Sequence, residues 1–145
     1  MTEWVELAAG LSRHLATLPA GAVLIISESE GPRYAQFRQF EDRLYAELVS
    51  DAYLDSEARV GEAGARRLVE AGWQLPEGDR GNWWLDCTWP LTSAQYQELA
   101  AKVLFGLHEV LGITEPDELV YESWNSEADD QELPLPGLGL RRAQG

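Results

Sequence analysis

Three strand candidates follow one another closely near the start of the chain, and the short connections between them constrain the fold strongly. The stretch AVLIIS, residues 22–27, is a continuous apolar run, whereas RYAQFRQF, residues 33–40, and RLYAELVS, residues 43–50, alternate apolar and polar positions. Only SEGP separates the first pair and only ED the second, so both connections are typical of hairpin turns. The pattern predicts an antiparallel meander.

Segments with the apolar spacing of a helix lie before and after this meander in the sequence. The predicted helices run from the cap Thr2 to Leu18, from Asp55 or Ser56 to Ala71, and from the cap Ser93 to Leu111, just before Gly112. A short WQL and a longer NWWLDCTW flank the turn-rich PEGDRG and predict a second hairpin. The type of PDELVYESW, which follows the third helix, stays open.

The predicted order is α-β-β-β-α-β-β-α. This order is typical of an α+β domain with a twisted, mostly antiparallel five-stranded sheet and helices packed on one face. The 145 residues suit one domain. We expect that domain to span residues 1–124. Residues 125–145 are acidic and then rich in proline and glycine, and we expect a mobile tail there.

Charge and composition restrict the partners. The net charge is −14, so the chain repels phosphate backbones and anionic membranes, and neither nucleic acid nor membrane is expected as a partner. The single cysteine fits a reducing compartment, and the longest apolar run has only the length of a strand. The N-terminus is acidic where a signal peptide would be basic. We expect a cytoplasmic protein.

The stretch RGNWWLDCTWP, residues 80–90, concentrates three of the six tryptophans around the only cysteine. If it forms a strand, its alternating apolar positions are Trp83, Leu85, Cys87 and Trp89. These residues belong against the helices, and Cys87 is then a small buried apolar residue and not a nucleophile. Trp84 is the exception, because it lies on the opposite and otherwise polar side.

The same alternation in the other strands predicts a mixed aromatic and polar surface on the sheet side away from the helices. Its predicted members are Tyr34, Arg38, Tyr45, Val49 and Trp84. A surface of this composition is typical of an interaction site. Two alternatives stay open: the face is covered by the C-terminal segment, or it is simply solvated. A register error of one residue would invert every assignment.

Motifs for catalysis, metal binding and cofactor binding are missing from the sequence. His14 and His108 fall on different predicted helices, which does not favour a metal site. There is no GxSxG elbow and no phosphate-binding loop, and Cys87 has no basic residue nearby in sequence to activate it. We therefore predict no catalytic residue, no metal ligand and no cofactor.

Several short motifs, in order, carry a family resemblance over Leu18–Trp124. They are LPAGAVLIIS, YAQF, LYAELVSDAYL, AGWQLP, NWWLDCTWP and PDELVYESW. With them the sequence resembles the peptide-binding chaperone superfamily that joins type III secretion chaperones and YbjN-like proteins, in particular the actinobacterial TY-chaperone-type domain. The resemblance implies an acidic, commonly dimeric α+β domain that holds an extended client segment without catalysis. It also implies a client lying over Tyr34, Arg38, Tyr45 and Trp84.

Three functions therefore remain to be distinguished. The first is a non-enzymatic peptide-binding chaperone or adaptor, acting as a homodimer. The second is a small-molecule-binding or catalytic domain with a pocket ringed by Trp73, Trp83 and Trp89. The third is a plain dimerisation module whose open sheet face is the subunit interface.

Overall fold

A computed structural model describes residues 3–77 and 81–143 of the chain. Within these residues, seven strands form a single, mostly antiparallel sheet, and three α-helices accompany it. The α+β class predicted from the sequence is confirmed. The observed order is α-β-β-β-α-β-α-β-β-β, which differs from the predicted order after the fourth strand.

The elements are numbered in chain order. The helices are α1 (Trp4–Leu15), α2 (Gly61–Glu70) and α3 (Ser93–Phe105). The strands are β1 (Ala22–Glu28), β2 (Tyr34–Gln39), β3 (Arg43–Leu48), β4 (Trp83–Thr88), β5 (Leu119–Asn125), β6 (Gln131–Glu132) and β7 (Arg141–Arg142). Single 3₁₀ turns occur at Asp51–Tyr53, Pro116–Glu118 and Pro136–Leu138.

Sheet order follows from the two hairpins. The strands lie side by side as β4-β3-β2-β1-β5-β6, with β7 parallel to β5. Phe37 of β2 pairs with Leu24 of β1 on one side and with Ala46 of β3 on the other. Because side chains alternate across a sheet, this register points all three toward the same face. The predicted antiparallel meander is confirmed.

The three helices cover that face. Leu7, Leu11 and Leu15 of α1 repeat at helical spacing and are fully buried. They belong to the same core cluster as Phe37 of β2 and Val103 of α3. Burying side chains of this size stabilises the fold by about 1.5–3 kcal/mol each. The three helices therefore pack on one side of the sheet, and no described helix covers its other side.

The predicted strand WQL, fourth in the predicted order, is wrong. Residues 73–75 contribute only an isolated bridge, in which Gln74 pairs with Trp84 at the outer edge of β4. The strand that completes the sheet is β5, from the segment whose type the sequence left open, and it pairs with β1 over its full length. The turn expected between WQL and β4 includes residues 78–80, which lie outside the described residues.

Two helix starts differ from the sequence prediction. Helix α2 begins at Gly61, not at Asp55 or Ser56, because the carboxylate of Asp51 accepts hydrogen bonds from the amides of Val60 and Gly61 at 2.8 and 3.0 Å. This cap comes from ten residues back in the chain. Helix α3 is capped by Thr92, one residue before the predicted Ser93. The predicted cap of α1, Thr2, lies outside the described residues.

The C-terminal segment returns to the domain. It adds β6 and β7 to the outer edge of β5, and it inserts Leu135 and Leu138 into the main core cluster. From the sequence we expect the domain to end at residue 124 and a mobile tail to follow. In the structure, residues 126–143 pack against β5 and α1, which the acidic and glycine-rich composition of the tail did not indicate.

Candidate functional site

The sheet side without helices, called the open face below, carries four of the five predicted residues. Tyr34 and Arg38 of β2, Tyr45 of β3 and Trp84 of β4 point away from the core-facing residues of their strands. Arg38 lies directly opposite Tyr45 across the β2–β3 pair. On the open face, three of the predicted side chains thus occupy neighbouring positions on adjacent strands.

Tyr45 and Trp84 form an aromatic pair on the β3–β4 side of this surface. Their ring centroids are 6.4 Å apart and the rings are inclined by 21°. The indole Nε1 of Trp84 donates a hydrogen bond to the backbone oxygen of Leu75 at 3.1 Å, which fixes the ring orientation. An offset stack of this kind contributes about 0.5–1.5 kcal/mol beyond area burial. The pair is therefore an ordered, half-buried aromatic surface.

Charged side chains surround this pair. Arg38 is exposed. Arg43, farther along β3, forms an ion pair with Asp86 of β4 at 3.3 Å, and its guanidinium lies over the ring of Phe40 at 5.3 Å from the centroid. Glu47 lies opposite Trp84. The open face thus offers aromatic rings beside charges of both signs.

Tyr34 closes one end of the open face. Its hydroxyl accepts a hydrogen bond from Nδ2 of Asn82 at 2.9 Å. The Oδ1 of the same asparagine accepts from the backbone amide of Ser50 at 3.1 Å. Asn82 itself is buried, so these bonds satisfy its amide. Tyr34 is held in place and presents only part of its ring to solvent.

Val49 is not available on the open face. It is 1 % exposed and belongs to the main core cluster. Strand β3 ends at Leu48 and the chain turns into the 3₁₀ turn at Asp51–Tyr53, so the alternation no longer applies to Val49. The assignment of Val49 to the exposed surface was wrong for this reason.

Sequence reasoning missed part of the open face. Val23 of β1 lies between Arg38 and Trp124, and it is buried although it is outside the main core cluster. The run AVLIIS hides the alternation because both of its sides are apolar, and β5 was not assigned as a strand. Since β5 also has apolar residues on both sides, alternation in the sequence does not identify Trp124.

The tryptophans expected to ring a pocket do not meet around one cavity. Trp73 and Trp83 are buried in the main core cluster, whereas Trp89 is 41 % exposed. Trp89 was expected in the core, but β4 ends at Thr88 and the alternation ends with it. The arrangement removes the support for a ligand pocket walled by these three residues.

Cys87 is a poor nucleophile in its surroundings. Its side chain is half-buried against the core. Burial raises the pKa of the Cys87 thiol, and the neighbouring carboxylate of Asp86 raises this pKa further. The thiol therefore stays protonated at neutral pH, which matches the apolar role predicted for it.

Within residues 3–77 and 81–143, no cluster of three or more histidine, cysteine, aspartate and glutamate side chains has the arrangement to hold a metal ion. None of the helices in them has the length and apolar character needed to cross a membrane.

A comparison with known families identifies the class of protein. Residues 1–125 match the family described as TY-Chap3, T3SS (YopN, CesT) and YbjN peptide-binding chaperone 3. The chain therefore belongs to this family, which confirms the resemblance seen in its sequence motifs. Its general role is that of a chaperone, and its partner is a client protein. Neither the search of curated proteins nor the search of solved structures found a match.

Proposed function

We propose that the protein is a non-enzymatic chaperone or adaptor that holds an extended segment of a client protein on the open face of its sheet. The client segment crosses Tyr34, Arg38, Tyr45 and Trp84. The observation that carries the proposal is the stacked Tyr45–Trp84 pair next to the exposed Arg38, on the sheet side that no described helix covers. Tryptophan, tyrosine and arginine are the residues that most often dominate binding energy at protein interfaces.

The surface also suits the chemistry of an extended chain. Side chains of an extended peptide alternate in direction, so every second one faces the sheet. Apolar side chains of the client pack on the Tyr45–Trp84 pair. Polar and charged side chains of the client contact Arg38 or Glu47. Such a mixed surface selects a client by its pattern of apolar and charged residues more than by a single motif.

We further propose that the chaperone acts in the cytoplasm as a homodimer and without catalysing a reaction. The match to a family of peptide-binding chaperones supports a role without catalysis. The competing function, a dimerisation module, uses the same residues but places a second copy on the open face. The two differ in what Tyr45 and Trp84 contact, which is a measurable difference.

Paired tryptophan substitutions test the proposed site. The tagged protein is used to recover partners from its native cytoplasm, together with Trp84→Ala and Trp89→Ala. Trp89 is a matched control because it is an exposed tryptophan just past the end of the same strand, off the proposed site. We expect the wild type and Trp89→Ala to recover the partner protein in near-equal amounts. Trp84→Ala should recover at least tenfold less of the partner protein.

The folded state of each variant has to be measured alongside. Trp84 is only half-buried, so we expect Trp84→Ala to lower the free energy of unfolding by about 1–2 kcal/mol and to leave the domain folded. Equal recovery of the partner by both variants would place the client elsewhere. Loss of folding in Trp84→Ala would show that this tryptophan serves the core and not a binding surface.

A further inference from the structure

The C-terminal segment 126–143, called the tail below, is bound to the rest of the chain as a peptide would be. The backbone amide of Leu133 donates to the oxygen of Ser123 at 2.9 Å, and the amide of Ala143 donates to the oxygen of Tyr121 at 2.7 Å. Between them, the amide of Leu135 donates to the hydroxyl of Tyr121 at 3.0 Å. The outer edge of β5 thus receives the tail largely through main-chain groups.

Two leucines anchor the tail. Leu135 and Leu138 are buried, the latter with 1 % exposure, and both belong to the main core cluster. The 3₁₀ turn Pro136–Leu138 between them packs against helix α1. The tail therefore fills a groove whose walls are α1 and β5, called the α1–β5 groove below.

Glycine residues allow the backbone of the tail to lie close to α1. A Cβ atom added to Gly10 of α1 would overlap the carbonyl oxygen of Gly137, and a Cβ added to Gly137 would lie 2.6 Å from Nε2 of His14. Gly10 is weak for helix stability, since alanine is preferred in a helix interior. Its place in α1 is explained by the close approach of the tail backbone.

The tail does not fit this groove completely. The hydroxyl Oγ of Ser123, a buried residue on the β5 wall, has no hydrogen-bond partner among the described residues. Buried hydroxyl groups normally have a partner, so the tail leaves one polar group of the β5 wall unsatisfied.

The walls of the groove and the segment that fills it come from different parts of the chain. Both α1 and β5 lie within the residues matched by the family, 1–125, whereas the whole tail lies after them. The groove is therefore part of the chaperone domain, and the segment that fills it is an addition to that domain.

We propose that the α1–β5 groove is a second peptide-binding site whose resident ligand is the protein's own tail. The site takes an extended segment with two leucine-sized anchors on either side of a proline–glycine turn, as in Leu135–Leu138. A client segment of this kind binds by displacing the tail. This site is separate from the open face and does not depend on the client proposed there.

Release of the tail, without change to the groove, tests the proposal. The double variant Leu135→Asp/Leu138→Asp is made in the whole chain. Both anchors become charged in it, so the tail is expected to dissociate from the α1–β5 groove. The probe is a fluorescent synthetic peptide with the sequence of residues 131–142. We expect it to bind this variant and to bind the wild type at least tenfold more weakly, because a tethered tail competes at an effective concentration of about 1 mM.

Two controls establish where the probe binds. Adding Gly10→Ala to the double variant blocks the groove, and at least a tenfold loss of probe affinity is expected. A probe that itself carries aspartate in place of Leu138 should not bind. Equal binding to wild type and double variant, a folded double variant that does not bind, or binding that survives Gly10→Ala would each overturn the proposal.

Hydrogen exchange in the unaltered protein gives an independent readout. If the tail is a displaceable ligand, the amides of Leu133, Leu135 and Ala143 exchange through a local opening, at least tenfold faster than the amide of Leu24 in β1. Equal protection of tail and β1 would mean that the tail leaves only when the whole domain unfolds. Unfolding of the double variant would also mean that the tail cannot leave without unfolding of the domain. Either result would overturn the proposal.

Discussion

At the scale of the residue, His14 links a titratable side chain to the docking of the tail. Its ring faces Gly137, where an added Cβ would lie 2.6 Å from Nε2. Burial lowers the pKa of His14 from its ordinary value of 6.5, and the neighbouring Arg13 lowers it further. The folded chain thus resists protonation of this ring more than the unfolded chain does.

The sign of this pKa shift sets a pH dependence. Because the unfolded chain binds the proton more readily, stability is fully present above pH 6.5 and is lost as the pH falls from there toward the lower pKa of the folded state. We expect the urea midpoint of the wild type to fall between about pH 7.5 and pH 5.5 more steeply than that of His14→Gln. Identical pH profiles would contradict a role for His14.

Individual residues of the open face were predicted from the sequence where the strands alternate. Tyr45 and Trp84 were found because each stands out against its neighbours within a strand of six residues. Val49 and Trp89 were misplaced because each lies just past the last residue of its strand. Alternation has no meaning beyond a strand end, and that end is fixed by pairing partners the local sequence does not contain.

At the scale of the element, the N-terminus of α3 provides a direct test of helix capping. The hydroxyl of Thr92 accepts from the amide of Gln95 at 3.1 Å, and the Gln95 side chain accepts from the amide of Thr92 at 2.8 Å. This reciprocal pair satisfies two amides that the helix leaves unbonded.

We expect Thr92→Ala to lower the free energy of unfolding by about 1 kcal/mol. Ser93→Ala is the matched control, since Ser93 is exposed inside the first turn and alanine there should be neutral or slightly stabilising. Urea unfolding of the two variants distinguishes them. A larger loss with Ser93→Ala would contradict the cap seen in the structure.

Elements were predictable where their signals are local. The two hairpins and α3 have local signals. The hairpins formed as expected, whereas α3 is capped by Thr92 and its α-helical part ends at Phe105, before the predicted Leu111. The start of α2 was displaced because its cap, Asp51, lies outside the helix segment. Strand β5 was left open because apolar residues occur on both of its sides, Val120 and Trp124 on one and Leu119 and Tyr121 on the other.

At the scale of the whole molecule, the two edges of the sheet differ in the segments that pair with them. The β5 edge is covered by the tail, whereas at the β4 edge the part of the chain that the structure describes shows a bridge from Gln74 to Trp84. Sheet edges that remain unpaired invite association with other chains. The tail therefore protects one edge, whichever peptide the α1–β5 groove accepts.

The organisation of the whole chain was the least accessible from sequence. An acidic stretch followed by prolines and glycines is typical of a mobile tail, but Leu135 and Leu138 are enough to anchor it. Their burial depends on Gly10, which is far away in sequence. Long-range complementarity of this kind cannot be derived from local composition.

Site-specific photo-cross-linking in living cells tests the central claim most directly. A benzoyl-phenylalanine replaces Tyr45 on the open face in one variant and Val5 in the other, where Val5 is 76 % exposed on α1, on the helix side of the sheet. Our account predicts a covalent adduct with a client protein from position 45 and none from position 5. An adduct with a second copy of the chain alone from position 45 would mean that the open face is a subunit interface, and a client adduct from position 5 alone would contradict the proposed site.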